Sequence, residues 1–222
     1  AGQGPLDRVG YPQRDLLPVS LIASSPFILL VHPSLPVKTA RELIALGQTR
    51  QLTFGSGGVG SSGHLAAEYF NQLAGIKPTH VPYKGAGPAL IDTLGGQVNM
   101  LMASIVSGMP YARSGRLRAL AITTLTRSAT MPDLPTIAEA ALPGYDFSSW
   151  YGLMAPRATP RPIITRLSAE TARAVKSPEL QQRLASEGCD AVGGTPEEFA
   201  AYIKTEMVRW AKIVKASGMQ AE

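Results

Sequence analysis

One cysteine, Cys189, stands in 222 residues. An internal disulfide is therefore excluded, and so is any metal site built on two thiolates. The three histidines, His32, His64 and His80, lie on separate segments without metal-ligand spacing. No run of eighteen or more apolar residues occurs, so the sequence carries no membrane-spanning helix signal. Residues 1–6 have neither a basic start nor an apolar centre, and do not read as a signal peptide. Aromatic residues make up only 6 %, and the 21 Lys and Arg against 16 Asp and Glu are scattered. A nucleic-acid binder clusters its basic residues and interleaves aromatics, so no nucleic-acid partner is expected. The net charge of +5 suits an anionic ligand instead.

With 45 % hydrophobic and 17 % charged residues the chain is globular, and long enough for one large domain or two small ones. Its central feature is Leu52-Thr-Phe-Gly-Ser-Gly-Gly-Val-Gly-Ser-Ser-Gly-His64. This reads as a short strand, a glycine-rich turn, and a helix beginning near Ser61 and running to Leu73. Unpaired N–H groups and the positive dipole end make such a helix start a seat for a small anion. Ser56, Ser61 and Ser62 add hydroxyls, and Gly57 and Gly58 leave the backbone open to a ligand. The bland alternative is a tight connection that binds nothing. The turn lacks the Gly-Lys-Ser/Thr ending of a P-loop, the ribose-binding acid of a dinucleotide site and the Gly-x-Ser-x-Gly of a nucleophile elbow. No cofactor is expected.

Around this turn, strands are predicted at 19–23, 27–32, 79–83, 98–102, 117–123 and 147–155. The first two are separated by a break at Ser24-Ser-Pro26, where proline cannot donate to a ladder. Residues 1–17 read as loop. Helices are predicted at 39–47, 89–94, 109–114, near 136–141, and at 162–175, 178–187 and 196–217. Strands alternating with helices predict an α/β fold with parallel pairing. Three successive strand ends carry small or polar turns, at 55–63, 84–87 and 103–107, and ligands gather at such ends in open α/β sheets. In the last helix Phe199, Ile203, Trp210, Ile213 and Val214 form one apolar stripe, which is core.

Several of these motifs together resemble the Bug family, the substrate-binding proteins of bacterial tripartite tricarboxylate transporters. They are Gly55 to Ser61 with His64-Leu65; Val81-Pro-Tyr-Lys-Gly85 with Pro88-Ala-Leu90; and Gly115-Arg-Leu-Arg-Ala-Leu-Ala121. To these are added Pro132-Asp-Leu-Pro-Thr136, Pro143-Gly-Tyr145, Ser149-Trp150, Gly152-Leu153, Ala155-Pro156 and Gly193-Gly-Thr-Pro-Glu197. The match runs from about Pro18 to the end. It implies a periplasmic, non-enzymatic receptor with a two-lobed (type II) periplasmic binding protein-like α/β fold, working with the transporter's membrane components. A small organic carboxylate is held between the lobes by loop N–H groups, hydroxyls and waters. Carried over, the ligand contacts are Ser56, Gly57, Gly58, Ser61, Ser62, Tyr83, Lys84, Gly85, Ala103 and Ser104. Residues 27–122 form the second, ligand-binding lobe; residues 1–26 and 123–222 form the rest of the first, with the hinge.

Asn99 and Ala103 stand where family members usually place acidic residues, which favours a plain carboxylic acid over an amino acid. Family members also open with a strand, a glycine-rich loop and a helix that have no counterpart here. The first lobe is accordingly expected to be incomplete, the isolated chain to be less stable or to self-associate, and its binding to be weak. Two other functions are compatible with the residues. One is a sensor or interaction module that keeps the fold without transport. The other is a hydrolase using Ser61 or Ser62 with His64 as base, which still needs a third group to orient the histidine.

Overall fold

The structure is a computed structural model that describes residues 15–217. The expectation of a loop at 1–17 lies outside the described residues as far as residue 14; Leu16 and Leu17 are strand rather than loop. The chain divides into two compact units, one of Ser25–Ser149 and one of the segments up to Ser24 and from Trp150.

The strand β1 (Leu16–Val31) contributes to both units. The break expected at Ser24-Ser-Pro26 is a change of partner rather than an end of the strand. Ala23 and Ser24 pair with β7 (Asp190–Ala191), and pairing with β4 (Met100–Ser104) begins at Phe27. Pro26 falls between the two ladders, where its missing N–H costs no strand hydrogen bond.

In the unit of residues 25–149 the sheet order is β3-β2-β4-β1-β5, with β2 at Thr53–Ser56, β3 at Thr79–Pro82 and β5 at Arg118–Ile122. Parallel pairing holds for β2 with β3 and with β4, but β1 runs antiparallel to both β4 and β5. The sheet is therefore mixed, not parallel throughout. Its connections are α1 (Ala40–Thr49), α2 (Ser62–Ala74), α3 (Ala86–Leu94) and α4 (Ile105–Arg113). Ile28, Leu30, Leu101 and Ile122 of the strands pack with Ala89, Leu90 and Ile105 of the helices in one buried cluster.

This unit extends past Ile122, where the sequence reading ended it. Thr123 N–H donates to the Phe27 carbonyl at 3.0 Å, Phe147 N–H to the Thr123 carbonyl at 2.8 Å, and the Phe27 and Phe147 rings meet edge to face at 5.2 Å. Between them lies the one-turn helix α5 (Ile137–Ala140), closed by a capping box of Thr136 and Glu139. These bonds tie residues 123–149 to the sheet they have just left.

The other unit joins the first part of β1 to β6 (Ser148–Pro156) and β7, with α6 (Arg161–Val175), α7 (Pro178–Ser186) and α8 (Pro196–Ser217). Val19, Ala155 and Ile164 form a small core. Phe199, 1 % exposed, meets Trp150 edge to face at 5.6 Å, so the stripe of the last helix does pack inward at this point. The short β7 carries no sequence signal, being two residues long.

Candidate functional site

The first turns of three helices in the unit of residues 25–149 line one cavity of about 210 Å³. From α2 come Ser61, Ser62 and Gly63; from α3, Ala86; from α4, Ser104 and Ser107. Gly57 and Ala103 complete the polar and small lining, while Phe27, Leu90, Leu101 and Met102 form the apolar part.

Each helix starts where it does for a local reason. Ser61 is extended, and its hydroxyl accepts the His64 N–H at 3.4 Å. Ser104 does the same for Ser107 N–H at 3.4 Å, and the two hydroxyls lie 2.8 Å apart. Gly85 opens α3 at φ 116°, where no side-chain cap exists. Among the described residues, the N–H groups of Ser62, Gly63 and Ala86 have no hydrogen-bond partner. None of the lining residues carries a charged side chain. The positive potential of this cavity is thus made of helix ends and amides, which attract an anion without contributing a counter-charge.

Close packing brings the turns together. A Cβ on Gly63 would lie 2.8 Å from the Met102 carbonyl oxygen, so only glycine lets α2 approach β4 this closely. A Cβ on Gly57 would lie 3.0 Å from the Ala86 nitrogen, which sets the second and first turns against one another. Gly85 N–H completes that contact by donating to the Gly57 carbonyl at 3.2 Å.

Five of the ten contacts expected from the sequence line the cavity: Gly57, Ser61, Ser62, Ala103 and Ser104. The other five lie behind or beside it. Ser56 is fully buried; its Oγ sits 2.6 Å from His80 Nε2 and accepts the Gly58 N–H at 3.1 Å, so it braces the turn. Gly58 has φ 118° and sits against the Tyr83 carbonyl. Tyr83 donates its hydroxyl to Asp92 at 2.7 Å, and burial with that carboxylate raises its pKa to about 12. Lys84 is exposed, and Gly85 holds the turn through its backbone. Asn99 joins strands: its Oδ1 accepts the Thr53 N–H at 2.9 Å. Sequence reasoning missed Phe27, Gly63, Ala86, Leu90, Leu101, Met102 and Ser107. The turns at 84–87 and 103–107 pointed to Ala86 and Ser107, but no local pattern marks the apolar lining.

His64 is 3 % exposed and forms part of a ring stack beneath the turn. Its centroid is 3.9 Å from that of His80, with the rings 8° from parallel, and Phe54 stacks on His80 at 4.8 Å. Gly60 N–H donates to His64 Nδ1 at 3.0 Å. Burial, then the neighbouring His80, lowers the His64 pKa to about 4, and burial lowers that of His80 as well. His64 is therefore neutral at pH 7, and the 3.8 Å approach of Glu68 to Nε2 is not an ion pair there. With Nδ1 engaged by Gly60, and Ser61 Oγ engaged by the His64 backbone, the histidine is not set up as a base for either serine.

A larger hollow of about 820 Å³ lies in the other unit, between α6 and the start of α8. At the start of α8 on its wall, Glu198 already accepts the Thr195 N–H at 2.8 Å. The convergent amides of the smaller cavity have no such internal occupant.

A profile of the tripartite tricarboxylate transporter family receptor matches residues 6–219. The chain belongs to this family. Protein BugT of Bordetella pertussis is 35 % identical over 206 residues, which is 92 % of this chain and 63 % of BugT. The chain thus spans less than two thirds of that curated relative's length. Among solved structures it is similar to R. palustris Rpa4515 with adipate, at TM-score 0.87 and 37 % identity, covering 94 % of this chain and 71 % of that one. It is also similar to MatC from Rhodopseudomonas palustris with bound malate, at TM-score 0.79 and 33 % identity, covering 90 % and 69 %. The fold is accordingly that of periplasmic binding proteins of this receptor type, and the family is one of solute-binding receptors rather than enzymes. No described helix of this receptor-family chain is long and apolar enough to cross a membrane.

Proposed function

We propose that this chain contributes the anion-binding part of a periplasmic receptor that captures a small organic carboxylate for a tripartite tricarboxylate transporter. The observation that carries the reading is the meeting of three helix starts around one small cavity without a charged side chain. The adipate and malate found with its structural relatives support a carboxylic acid as ligand. About 210 Å³ is below the ~300–1,000 Å³ of sites for drug-sized ligands, which suits a small acid or one end of a longer one. The lining offers hydroxyls and amides to a carboxylate and an apolar wall to its carbon chain.

Each helix end contributes up to ~2 kcal/mol when partly buried, so three supply at most about 6 kcal/mol. Millimolar affinity requires ~4 kcal/mol and micromolar ~8 kcal/mol. Binding by this chain alone is therefore expected to be weaker than micromolar. Calorimetric titration with adipate and malate, beside their neutral dimethyl esters, tests the reading. Ala86→Asp is the informative variant. An acid in the first turn suits α3, so folding is retained, while its charge competes for the same amides. The reading predicts acid binding by the wild type, none of the esters, and at least a tenfold loss in Ala86→Asp. Equal binding of acid and ester, or unchanged acid binding by Ala86→Asp, would sink it.

A further inference from the structure

We propose that His64 is an acid-sensitive latch on the turn of residues 56–63: its neutral ring holds the turn in shape, and protonation at Nδ1 releases it. The inference concerns the shape of the turn and holds whichever ligand the cavity takes.

The geometry assigns the protons. Gly60 N–H points at His64 Nδ1 from 3.0 Å, so Nδ1 carries a lone pair and the ring proton is on Nε2. The second proton of an imidazolium has only Nδ1 to occupy, and it would meet the Gly60 hydrogen head on. The Gly60 bond is then lost, in the middle of a turn whose neighbours depend on it. Gly58 is bonded to Ser56 Oγ at 3.1 Å, and Ser61 N–H to the Gly58 carbonyl at 3.2 Å.

The surroundings also oppose the charge. The ring lies in the first turn of α2, at the positive end of the helix dipole. From β3, His80 lies face to face at 3.9 Å, so a second imidazolium there repels the first. From β2 comes Phe54, which does not titrate. From α2 itself comes one carboxylate, Glu68, 3.8 Å from Nε2. Glu68 faces the nitrogen that is already protonated, so it offers a place for the imidazolium to turn towards rather than a reason to keep Nδ1 against Gly60. Ser61, Ser62 and Gly63, which line the cavity, are the last residues of this turn. Acid release of the turn therefore disorders the anion seat.

The size of the effect follows from linkage. If His64 titrates at its ordinary 6.5 in the open turn and at about 4 in the closed one, opening is favoured roughly thirtyfold at pH 5 relative to high pH. The test is amide hydrogen exchange between pH 7 and pH 5, corrected for intrinsic rates and read without any ligand. Between pH 7 and pH 5 protection of Gly58, Gly60 and Ser61 is expected to fall roughly twentyfold, while that of Leu29 and Leu30 in the central strand falls far less. His64→Asn keeps an acceptor near the Nδ1 position but does not titrate, and its turn protection should be flat with pH. The latch is overturned by wild-type protection that falls no more in the turn than in the strand, or by His64→Asn falling as the wild type does. Should His64→Asn not fold, nuclear magnetic resonance of the wild type decides. The Gly60 amide shift must titrate with the same midpoint as the His64 ring, and separate midpoints reject the proposal.

Discussion

Tyr145 donates its buried hydroxyl to the carbonyl oxygen of Ala66, 2.9 Å away and 79 residues earlier in the chain. The Tyr145 ring also stacks on Tyr69 at 4.8 Å and meets Phe70 edge to face at 6.3 Å. A residue that the sequence reading assigned to the other lobe thus fastens the helix that carries Ser61, Ser62 and Gly63. Tyr145→Phe keeps the packing and deletes the bond. It should cost about 1 kcal/mol, because a carbonyl within a helix retains its intrahelical donor. Urea denaturation of the two proteins reads this directly.

Gly63→Ala should be more costly. Its Cβ meets a backbone oxygen, that of Met102 at 2.8 Å, and backbone cannot rotate away as a side chain can. Overpacking of this kind costs about 1–3 kcal/mol. Gly63 and Met102 both line the cavity, so carboxylate affinity should fall with stability. A variant as stable as wild type would show that α2 and β4 are not held this close.

The other unit offers a matching test away from the cavity. A Cβ on Gly152 would run into the ring of Phe199, which is 1 % exposed and held by Trp150. Gly152→Ala is expected to lose about 1–3 kcal/mol by calorimetric or denaturant unfolding. Gly152→Ala combined with Phe199→Leu should recover part of it, since the smaller side chain vacates the space.

Ser104 and Ser107 present paired hydroxyls at the start of α4. If they serve a bound carboxylate, Ser107→Ala should weaken binding of adipate or malate about fivefold, corresponding to about 1 kcal/mol for one hydrogen bond. Ser104→Ala removes the cap as well and should also lower stability by about 1 kcal/mol. A pair of titrations and melts separates the two effects.

Stability should fall with acid. Burial holds the folded-state pKa of His64 at about 4, below 6.5 in the unfolded chain, so the unfolded state takes its proton first as pH drops. This contribution is complete above about 6.5, is lost on the way to about 4, and changes no further below. His80, also lowered, acts in the same direction. Glu68 has the opposite sign: its pKa is raised by burial, so the folded state takes that proton first and stability is regained as pH falls through its value. A loss on the order of 2 kcal/mol from His64 between pH 7 and pH 4.5 is expected in urea midpoints, largely absent in His64→Asn.

Some of this protein is written locally. Helix starts follow from short-range chemistry, and Thr39, Ser61, Thr136 and Pro196 mark theirs in the sequence because a hydroxyl or a proline acts within one turn. The three small-residue turns are equally legible, as are the family motifs that surround them. The direction of β1 is not. Its antiparallel course between β4 and β5 depends on where the chain re-enters the sheet, and hydrophobic alternation is the same for either direction. Pro26 reads as a break because its missing donor is local, while the change of ladder that makes it harmless lies in partners as distant as Ser104 and Asp190. Ser56 looks like a ligand hydroxyl until His80 is brought against it. His64 and His80 lie on α2 and β3 and carry no shared pattern; only the pairing of β3 beside β2 stacks their rings. The sequence alone determined which segments can offer amides and hydroxyls to an anion, since those are properties of single turns. Which of them face one cavity was decided by tertiary packing, because Gly57 and Gly63 fix the distances between turns only through atoms of Ala86 and Met102 that lie far along the chain.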